Sequence, residues 1–229
     1  MTSESPLQMD PQAVAKVPRQ QRARQRFEAV MSEAERVLEE QGLTGFSIPV
    51  VAERLQMTRG SVYAYFPTPY ALLNEIVQRH LSQMETLYVE NASELEGQGW
   101  WKAIDWALSQ AMRYHNAHPA ARMLLLGGAL SDSSYRSLEA LLGRLGALTR
   151  RVWEQHHASP ARPLPADPDI FVLAIDIGMA CFRRSFFEHG EIRESYKDSA
   201  VEAMRRYLEP YLDAAPLART PPSQAESAA

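Results

Sequence analysis

Four consecutive residues, Thr58, Arg59, Gly60 and Ser61, combine hydrogen-bonding side chains with one residue that has no side chain. An arginine guanidinium can pair in bidentate fashion with the edge of a guanine base, and glycine lets a helix backbone approach a duplex closely. The two hydroxyl groups suit contacts at the same surface. These residues predict recognition of double-stranded DNA. For Arg59, the alternative is a solvated surface charge.

Two tyrosines follow at a spacing that separates them. Tyr63 and Tyr65 are two residues apart, so on a helix they cannot share one face, and at most one is buried beside Val62 and Phe66. A phenolic hydroxyl group is a competent donor to a DNA phosphate. The pattern predicts that one tyrosine points outward for such a contact. The alternative places Tyr63 in the core and Tyr65 on the surface.

A cluster of positive charge precedes these residues. The whole chain carries a formal charge of −4, which does not by itself indicate a nucleic-acid partner. Between residues 16 and 26, however, the sequence KVPRQQRARQR contains no acidic residue. We expect Arg22, Arg24 and Arg26 to contact DNA phosphates. The alternative is a solvated start of a helix.

Short helices must position these side chains. Apolar residues at three- and four-residue spacing predict a first helix over residues 19–41. Ser47 is the predicted N-cap of a second helix, and Thr58 is that of a third helix over residues 59–66, which Pro67 ends. Two short helices joined by a tight turn predict a helix-turn-helix.

The third helix resembles the recognition helix of the TetR family of transcriptional regulators. That family's pattern is a small residue, Gly, Ser or Thr, an apolar residue, Tyr, any residue, His or Tyr, and Phe, and residues 59–66 here are RGSVYAYF. The resemblance covers residues 19–80. It implies that Ser47 and both tyrosines contact phosphates. Pro69 and Tyr70 depart from the family's Lys and acidic residue, which puts one phosphate contact in doubt.

The remaining chain has the same helical periodicity, so the predicted fold class is all-α, with an N-terminal three-helix DNA-binding domain and a larger helical ligand-binding and dimerisation domain. We expect a disordered basic arm over residues 1–18, the helix-turn-helix domain over residues 19–67, the effector-binding and dimerisation domain over residues 68–212, and a disordered tail over residues 213–229. After a proline-rich loop, Asp167 is the predicted N-cap of the last helix but one.

Composition excludes several classes of protein. Hydrophobic residues make up 45% and charged residues 23% of the chain, the balance of an ordinary globular protein. No signal-type segment and no apolar run of about 20 residues is present, so we expect a cytoplasmic protein without a membrane partner. The single cysteine, Cys181, excludes an intrachain disulfide and a multi-thiolate zinc site. No nucleophile, base and orienting group recur at recognisable spacing, which argues against an enzyme.

A stripe of small residues in the last helix but one predicts close packing against another helix. By resemblance to the family, whose last two helices form a four-helix bundle between subunits, we expect this stripe to be a dimer interface. The predicted interface residues are Ala174, Gly178, Cys181 and Ser185, with Val201, Met204 and Leu208 on the final helix. The alternative is packing within the chain. A dimer would place two recognition helices one duplex turn apart on a palindromic operator.

Aromatic and methionine residues in the body predict an apolar pocket for a small-molecule effector, although such residues are often plain core. The candidate pocket residues are Trp101, Trp106, Met112, Met123, Asp176 and Phe182. Asp176 is the one charge in an apolar run, so we expect it to pair with Arg113 or Arg122, or to meet a polar group of the ligand.

Four histidines invite a metal interpretation. His115, His118, His156 and His157 lie at predicted helix ends, where histidines favour the helix dipole, and we interpret them as surface residues. We therefore predict neither a metal nor a cofactor.

These patterns predict a DNA-binding regulator: a homodimeric repressor that binds a palindromic operator and is released by a small-molecule effector. The alternative is a helical carrier of hydrophobic ligands, or an adaptor, that does not bind DNA. The departure at Pro69 favours this second interpretation.

Overall fold

The structure, a computed structural model, describes residues 14–91, 99–127, 132–156, 164–165 and 167–212. Within these ranges every regular element is an α-helix, which confirms the predicted class, and no helix combines the length and apolar character needed to span a bilayer. The predicted tail and residues 1–13 of the predicted arm lie outside the described residues. The helices are α1 (Gln21–Gly45), α2 (Ile48–Arg54), α3 (Arg59–Tyr63), α4 (Pro69–Asn91), α5 (Trp100–Ala117), α6 (Pro119–Leu126), α7 (Asp132–His156), α8 (Ile170–His189) and α9 (Glu194–Leu212).

The N-terminal domain forms around one apolar face of α1. The buried residues of this face are Phe27, Val30, Met31, Ala34, Val37 and Leu38. The long run of α1 ends where the sequence predicts, because at Gly42 the backbone leaves the helical conformation, with a φ of 66° that glycine tolerates and a ψ of −175°. A short helical turn then continues to Gly45 beyond this kink. Phe66, just after α3, is fully buried and stacks on Phe27 with ring centroids 4.7 Å apart.

Hydroxyl caps fix where α2, α3 and α4 begin. In each case the side-chain oxygen accepts the backbone N–H three residues later, at 3.4 Å for Ser47, 3.2 Å for Thr58 and 3.1 Å for Thr68. The predicted caps at Ser47 and Thr58 are confirmed. α3 ends at Tyr63, earlier than the predicted end at Phe66.

α4 extends from the N-terminal domain into the body. It contacts α1 in the first domain and α5, α6 and α7 in the second. Its buried residues, among them Leu72, Ile76, Leu81 and Met84, belong to a single hydrophobic core that includes both domains. In the body, α8 packs against both α7 and α9, and α5 lies against α9. α4 therefore connects the two domains through packed side chains.

The N-cap of α8 is Asp169, not the predicted Asp167. Asp169 Oδ1 accepts the backbone N–H of Phe171 at 2.9 Å and that of Val172 at 3.4 Å. Arg150 Nη2 lies 3.5 Å from the same oxygen. A cap must directly precede the first helical residue for its side chain to reach these N–H groups, and Asp167 lies too far upstream.

The stripe of small residues on α8 faces the interior of its own chain. On α8, Ala174, Gly178 and Ser185 are buried and Cys181 is half-buried. On α9, Met204 and Leu208 are buried and Val201 is half-buried. A Cβ atom at Gly178 would lie 2.9 Å from Met204 Sδ, so the stripe accommodates α9 of the same chain. These buried residues pack against helices of their own subunit, which is the packing that the alternative describes.

Replacing Phe66 with alanine removes the ring that stacks on Phe27 and leaves a cavity in the N-terminal domain. We expect the free energy of unfolding to fall by about 3–5 kcal/mol, measured by urea denaturation followed by circular dichroism. Tyr70→Ala is the control, because Tyr70 is 51% exposed and its loss should cost less than about 1 kcal/mol. Equal losses in the two variants would contradict the role of Phe66.

Candidate nucleic-acid interface and ligand cavity

The first turn of α3 is exposed, and its cap uses two of the predicted site residues. Thr58 Oγ1 and Ser61 Oγ are hydrogen-bonded at 2.7 Å, and Thr58 also accepts the N–H of Ser61. Between them, Arg59 and Gly60 are exposed, and nothing lies within 4 Å of the position that a Cβ atom of Gly60 would occupy. The side chain of Arg59 and the backbone at Gly60 are therefore open to a large partner.

A backbone hydrogen bond and two ion pairs stabilise the turn between α2 and α3. Gln56 has a φ of 53°, a left-handed conformation that is uncommon outside glycine, and its N–H donates to Glu53 O at 3.0 Å. At the end of α2, Arg54 reaches two carboxylates of α1, with Nη2 2.7 Å from Glu40 Oε2 and Nη1 3.4 Å from Glu33 Oε1. These ion pairs fasten α2 to α1. No local sequence pattern indicates this role of Arg54, because its partners are distant along the chain.

The two tyrosines occupy different environments, as their spacing predicts. Tyr63 is 41% exposed. Tyr65 is half-buried, with its ring edge-on to Phe27 at a centroid distance of 6.0 Å. The alternative that placed Tyr63 in the core and Tyr65 on the surface is wrong, because Tyr65 shares the side of the chain that faces α1. The carbonyl of Tyr65 also accepts the N–H of Lys16 at 2.7 Å, so the described part of the basic arm is held against this domain instead of being free.

Four of the predicted phosphate-contacting residues lie at the starts of α1 and α2. Arg22, Arg24 and Arg26 are exposed in the first turns of α1, whose first turn contains no acidic residue. Ser47 is half-buried, and its hydroxyl group caps α2. At the start of α4, Tyr70 is exposed. The N-terminal ends of these helices thus carry positive charge and hydroxyl groups.

Two short helices joined by a tight turn, with the second helix exposed at its start, define a helix-turn-helix protein. Residues 30–76 match the family model of the bacterial regulatory proteins of the tetR family. The overall fold is similar to that of a TetR-family transcriptional regulator from Streptomyces coelicolor, with 21% identity, a TM-score of 0.65, and coverage of 83% of this chain and 99% of that one. A Mesorhizobium loti protein assigned to the same family has 15% identity, a TM-score of 0.63, and coverage of 84% and 99%.

A comparison with curated protein sequences finds no match. The family model and the structural comparisons confirm the predicted resemblance to the TetR family. The comparisons therefore show a TetR-like fold over most of the chain.

The body contains a partly open cavity of about 230 Å³. α4, α5, α7, α8 and α9 supply most of its walls. The lining includes Leu81, Met84, Tyr88, Trp100, Ile104, Trp106, Leu108, His115, Leu142, Leu145, Thr149, Trp153, Phe171, Ala174, Phe182, Met204 and Leu208. Of the six predicted pocket residues, Trp106 and Phe182 border this cavity. Three residues expected at the dimer interface, Ala174, Met204 and Leu208, also border it.

The other four predicted pocket residues do not line this cavity. Trp101 is 48% exposed, because it lies on the outer face of α5, and Trp100 lines the cavity instead. Met112 and Met123 pack against the core away from the cavity lining. Asp176 is half-buried and outside the lining as well.

The arginine proposed as a partner of Asp176 has other contacts. Arg122 Nη1 donates to His115 O at 3.2 Å and to Asn116 O at 3.4 Å. Arg113, the other candidate, is exposed on α5. Asp176 is therefore not the buried charge at the cavity that the sequence predicts.

His115 is buried at the cavity and not on the surface, where the sequence analysis placed it. Its side chain is 1% exposed, and its ring meets Phe182 edge-on with centroids 6.5 Å apart. Burial, assisted by the positive charge of Arg122, lowers the pKa of His115 to about 3, so the imidazole is neutral at neutral pH. Among the described residues, His115 Nδ1 has no hydrogen-bond partner.

The other predicted surface histidines differ too. His118 is half-buried, with its ring stacked on Tyr114 at a centroid distance of 4.2 Å. His157 lies outside the described residues, as does the side chain of His156. No cluster of three or more potential metal ligands occurs in the part of the chain that the structure describes.

A polar cluster that no local sequence pattern indicates lies where α1, α4 and α5 meet. His80 Nδ1 is 2.7 Å from the hydroxyl oxygen of Tyr114, which donates in turn to Gln83 Oε1 at 2.6 Å. His80 Nε2 lies 3.8 Å from Glu35 Oε1 of α1. Burial lowers the pKa of His80 to about 4 and raises that of Glu35. The hydrogen bonds of this cluster join α4 to α5, whereas Glu35 of α1 approaches His80 without a hydrogen bond. The directional bonds make the relative position of α4 and α5 specific.

The buried histidines predict a loss of stability in acid. The pKa of His115 falls from 6.5 to about 3 on folding, so below about pH 6.5 the unfolded chain binds more protons than the folded chain. The stabilisation is complete above that pH and is lost as the pH falls. In His115→Leu, we expect the dependence of unfolding free energy on pH between 6.5 and 5 to be shallower by up to about 1.4 kcal/mol per pH unit, measured by urea denaturation. Parallel curves for the variant and the unmodified protein would refute this.

Proposed function

We propose that the protein is a homodimeric repressor of transcription that binds a palindromic DNA operator and releases it when a small molecule occupies the cavity. The observation that carries the proposal is the exposed first turn of α3, where Arg59 and Gly60 face solvent while the neighbouring hydroxyl groups form the cap. The match of residues 30–76 to the family model supports it, because that region contains this turn.

Arg59 is the proposed base-recognition residue. Its guanidinium can donate to both N7 and O6 of guanine in the major groove, an interaction worth about 1–3 kcal/mol of discrimination. At Gly60 the absence of a side chain lets the helix backbone approach the groove. Thr58 and Ser61 lie at the same edge of α3, and their hydroxyl oxygens can accept or donate further contacts to the duplex.

The start of α1 supports phosphate binding. Arg22, Arg24 and Arg26 place three positive charges near the positive end of the helix dipole, with no acidic residue in that turn to offset them. This arrangement is unfavourable in isolation, and approaching phosphates would stabilise it. We therefore propose that these arginines bind the DNA backbone.

Hydroxyl donors complete the proposed backbone contacts. Ser47, Tyr63 and Tyr65 are the phosphate-contacting residues implied by the family resemblance. Because Pro69 and Tyr70 replace the family's Lys and acidic residue, a charged contact is lost there. The phenol of Tyr70 is 51% exposed and supplies a neutral donor at the same helix start.

We place the dimer interface on the outward face of α8, opposite the small stripe. Leu173 is 38% exposed and Phe187 is 82% exposed, and Ile177 and Ala180 lie between them at helical spacing. The same row includes Arg184, whose charge is paired with Glu188 at 2.6 Å. An apolar stripe of this kind is unfavourable in water, and the same stripe of a second copy would cover it in a two-fold contact. Such a dimer would present two α3 helices to half-sites about 34–36 Å apart.

α4 is the proposed connection between ligand and DNA. Leu81, Met84 and Tyr88 of this helix border the cavity, and its contact with α1 ties it to the N-terminal domain. An occupant that displaces α4 would move both α3 helices of the dimer and change their spacing. The DNA-competent state would then lose population.

Substitution of Arg59 tests the proposal directly. A palindromic duplex is selected from a random pool by repeated binding to the full chain, and its affinity is measured by fluorescence anisotropy. We expect Arg59→Ala to weaken binding by about 1–3 kcal/mol. Arg113→Ala is the control: it removes an exposed arginine of α5, far along the chain from the turn, and should leave the affinity unchanged.

The salt dependence of the same measurement separates the two candidate functions. Contacts with several phosphates make the affinity fall steeply as salt rises. Binding that is absent, or insensitive to salt, would favour the alternative, a helical carrier of apolar ligands, for which the apolar cavity is the supporting observation.

A charge on the outer face of α8 tests the proposed dimer. Phe187→Glu places a carboxylate in the apolar stripe, so we expect monomers by size-exclusion chromatography with light scattering, and a loss of operator binding. Val89→Glu is the matched control, because Val89 of α4 is also exposed, at 53%, and lies outside the stripe. A Phe187→Glu variant that remains dimeric would exclude this interface.

A further inference from the structure

We propose that the cavity takes an uncharged, flat apolar molecule with one hydrogen-bonding group, and that this group pairs with His115. This inference deepens the proposed function, because it rests on the cavity as the effector site. Its grounds are the size of the cavity, the chemistry of its walls and the state of its polar atoms.

The volume of the cavity indicates the size of the ligand part that fits inside it. Engineered apolar cavities of about 150 Å³ bind benzene, so a cavity of about 230 Å³ has room for roughly half as much again, or two fused rings. Aromatic side chains border this space, including Trp106, Phe171 and Phe182. Flat rings pack well against such surfaces in stacked or edge-on arrangements.

The walls offer no partner for a charge. No Lys, Arg, Asp or Glu occurs among the described lining residues, so an anion or a cation would lose its hydration without gaining a counterion. His115 does not supply one, because burial keeps its imidazole neutral at neutral pH. The ligand is therefore uncharged.

The hydroxyl groups at the cavity already donate to carbonyls of the chain. Tyr88 Oη donates to Ala107 O at 3.2 Å, and Thr149 Oγ1 donates to Leu145 O at 2.8 Å. By contrast, His115 Nδ1 has no hydrogen-bond partner among the described residues, and the side chain is 1% exposed. A buried polar atom without a partner is destabilising, and a hydroxyl group on the ligand would satisfy it.

Three probes of one shape test this assignment by isothermal titration calorimetry with the full chain at pH 7.5. 2-Naphthol carries a neutral hydroxyl group, naphthalene carries none, and 2-naphthoate carries a charge. We expect 2-naphthol to bind about fivefold to tenfold more tightly than naphthalene, the fold-change of one hydrogen bond, and 2-naphthoate to bind most weakly.

Two variants of His115 identify the partner. His115→Leu replaces the imidazole with an apolar side chain of similar reach. It should remove the preference for 2-naphthol while leaving naphthalene binding intact. In His115→Asn, the amide lies close to the position of Nδ1, and part of the preference should return. Thermal denaturation verifies that each variant is folded before titration.

Several outcomes would overturn the inference: no binding of 2-naphthol, tighter binding of 2-naphthoate, or an unchanged preference in His115→Leu. None of these measurements involves DNA, so a failure of operator binding leaves this result standing. Conversely, 2-naphthol that binds as expected but does not weaken operator binding would refute the effector role of the cavity and support the ligand class.

Discussion

The packing of α4 into both the N-terminal domain and the body is the constraint on which the rest of the molecule depends. Leu72 and Ile76 are fully buried, and further along the same helix Met84 and Tyr88 border the cavity. Packed interiors do not deform continuously, so one end of a rigid helix cannot shift without the other. The hydrogen bond between His80 and Tyr114 adds a polar contact with a defined geometry.

The recognition helix is stable only because of its surroundings. α3 spans residues Arg59–Tyr63, far too short to persist as an isolated helix. Val62 is fully buried, and Phe66, just beyond the helix, stacks on Phe27. These apolar contacts lie on one side of the segment, so its polar first turn is left on the other. The polar residues of α3 are thus exposed because its apolar residues are buried in the core.

The N-terminal domain could be predicted from the sequence because its signals are local, as the caps at Ser47 and Thr58 illustrate. The body could not, because its helices face one another in ways that depend on distant segments. Trp100 and Trp101 are adjacent and identical in type, yet Trp100 shares the inward face with His115, four turns along α5. Likewise, the small stripe correctly indicates close helix packing, but its composition does not reveal that the neighbouring helix belongs to the same chain.

α8 is a partition one helix thick. Ala174 and Phe182 border the cavity on one side, while Leu173 and Phe187 face outward on the other. The two faces of α8 consist of different residues. A substitution can therefore change the cavity lining without changing the outward face, and a substitution on the outward face can leave the lining unchanged. The backbone between them, about 5 Å across, is nevertheless common to both. Substitutions can therefore change one surface without changing the other, but a movement of the α8 backbone displaces both surfaces together.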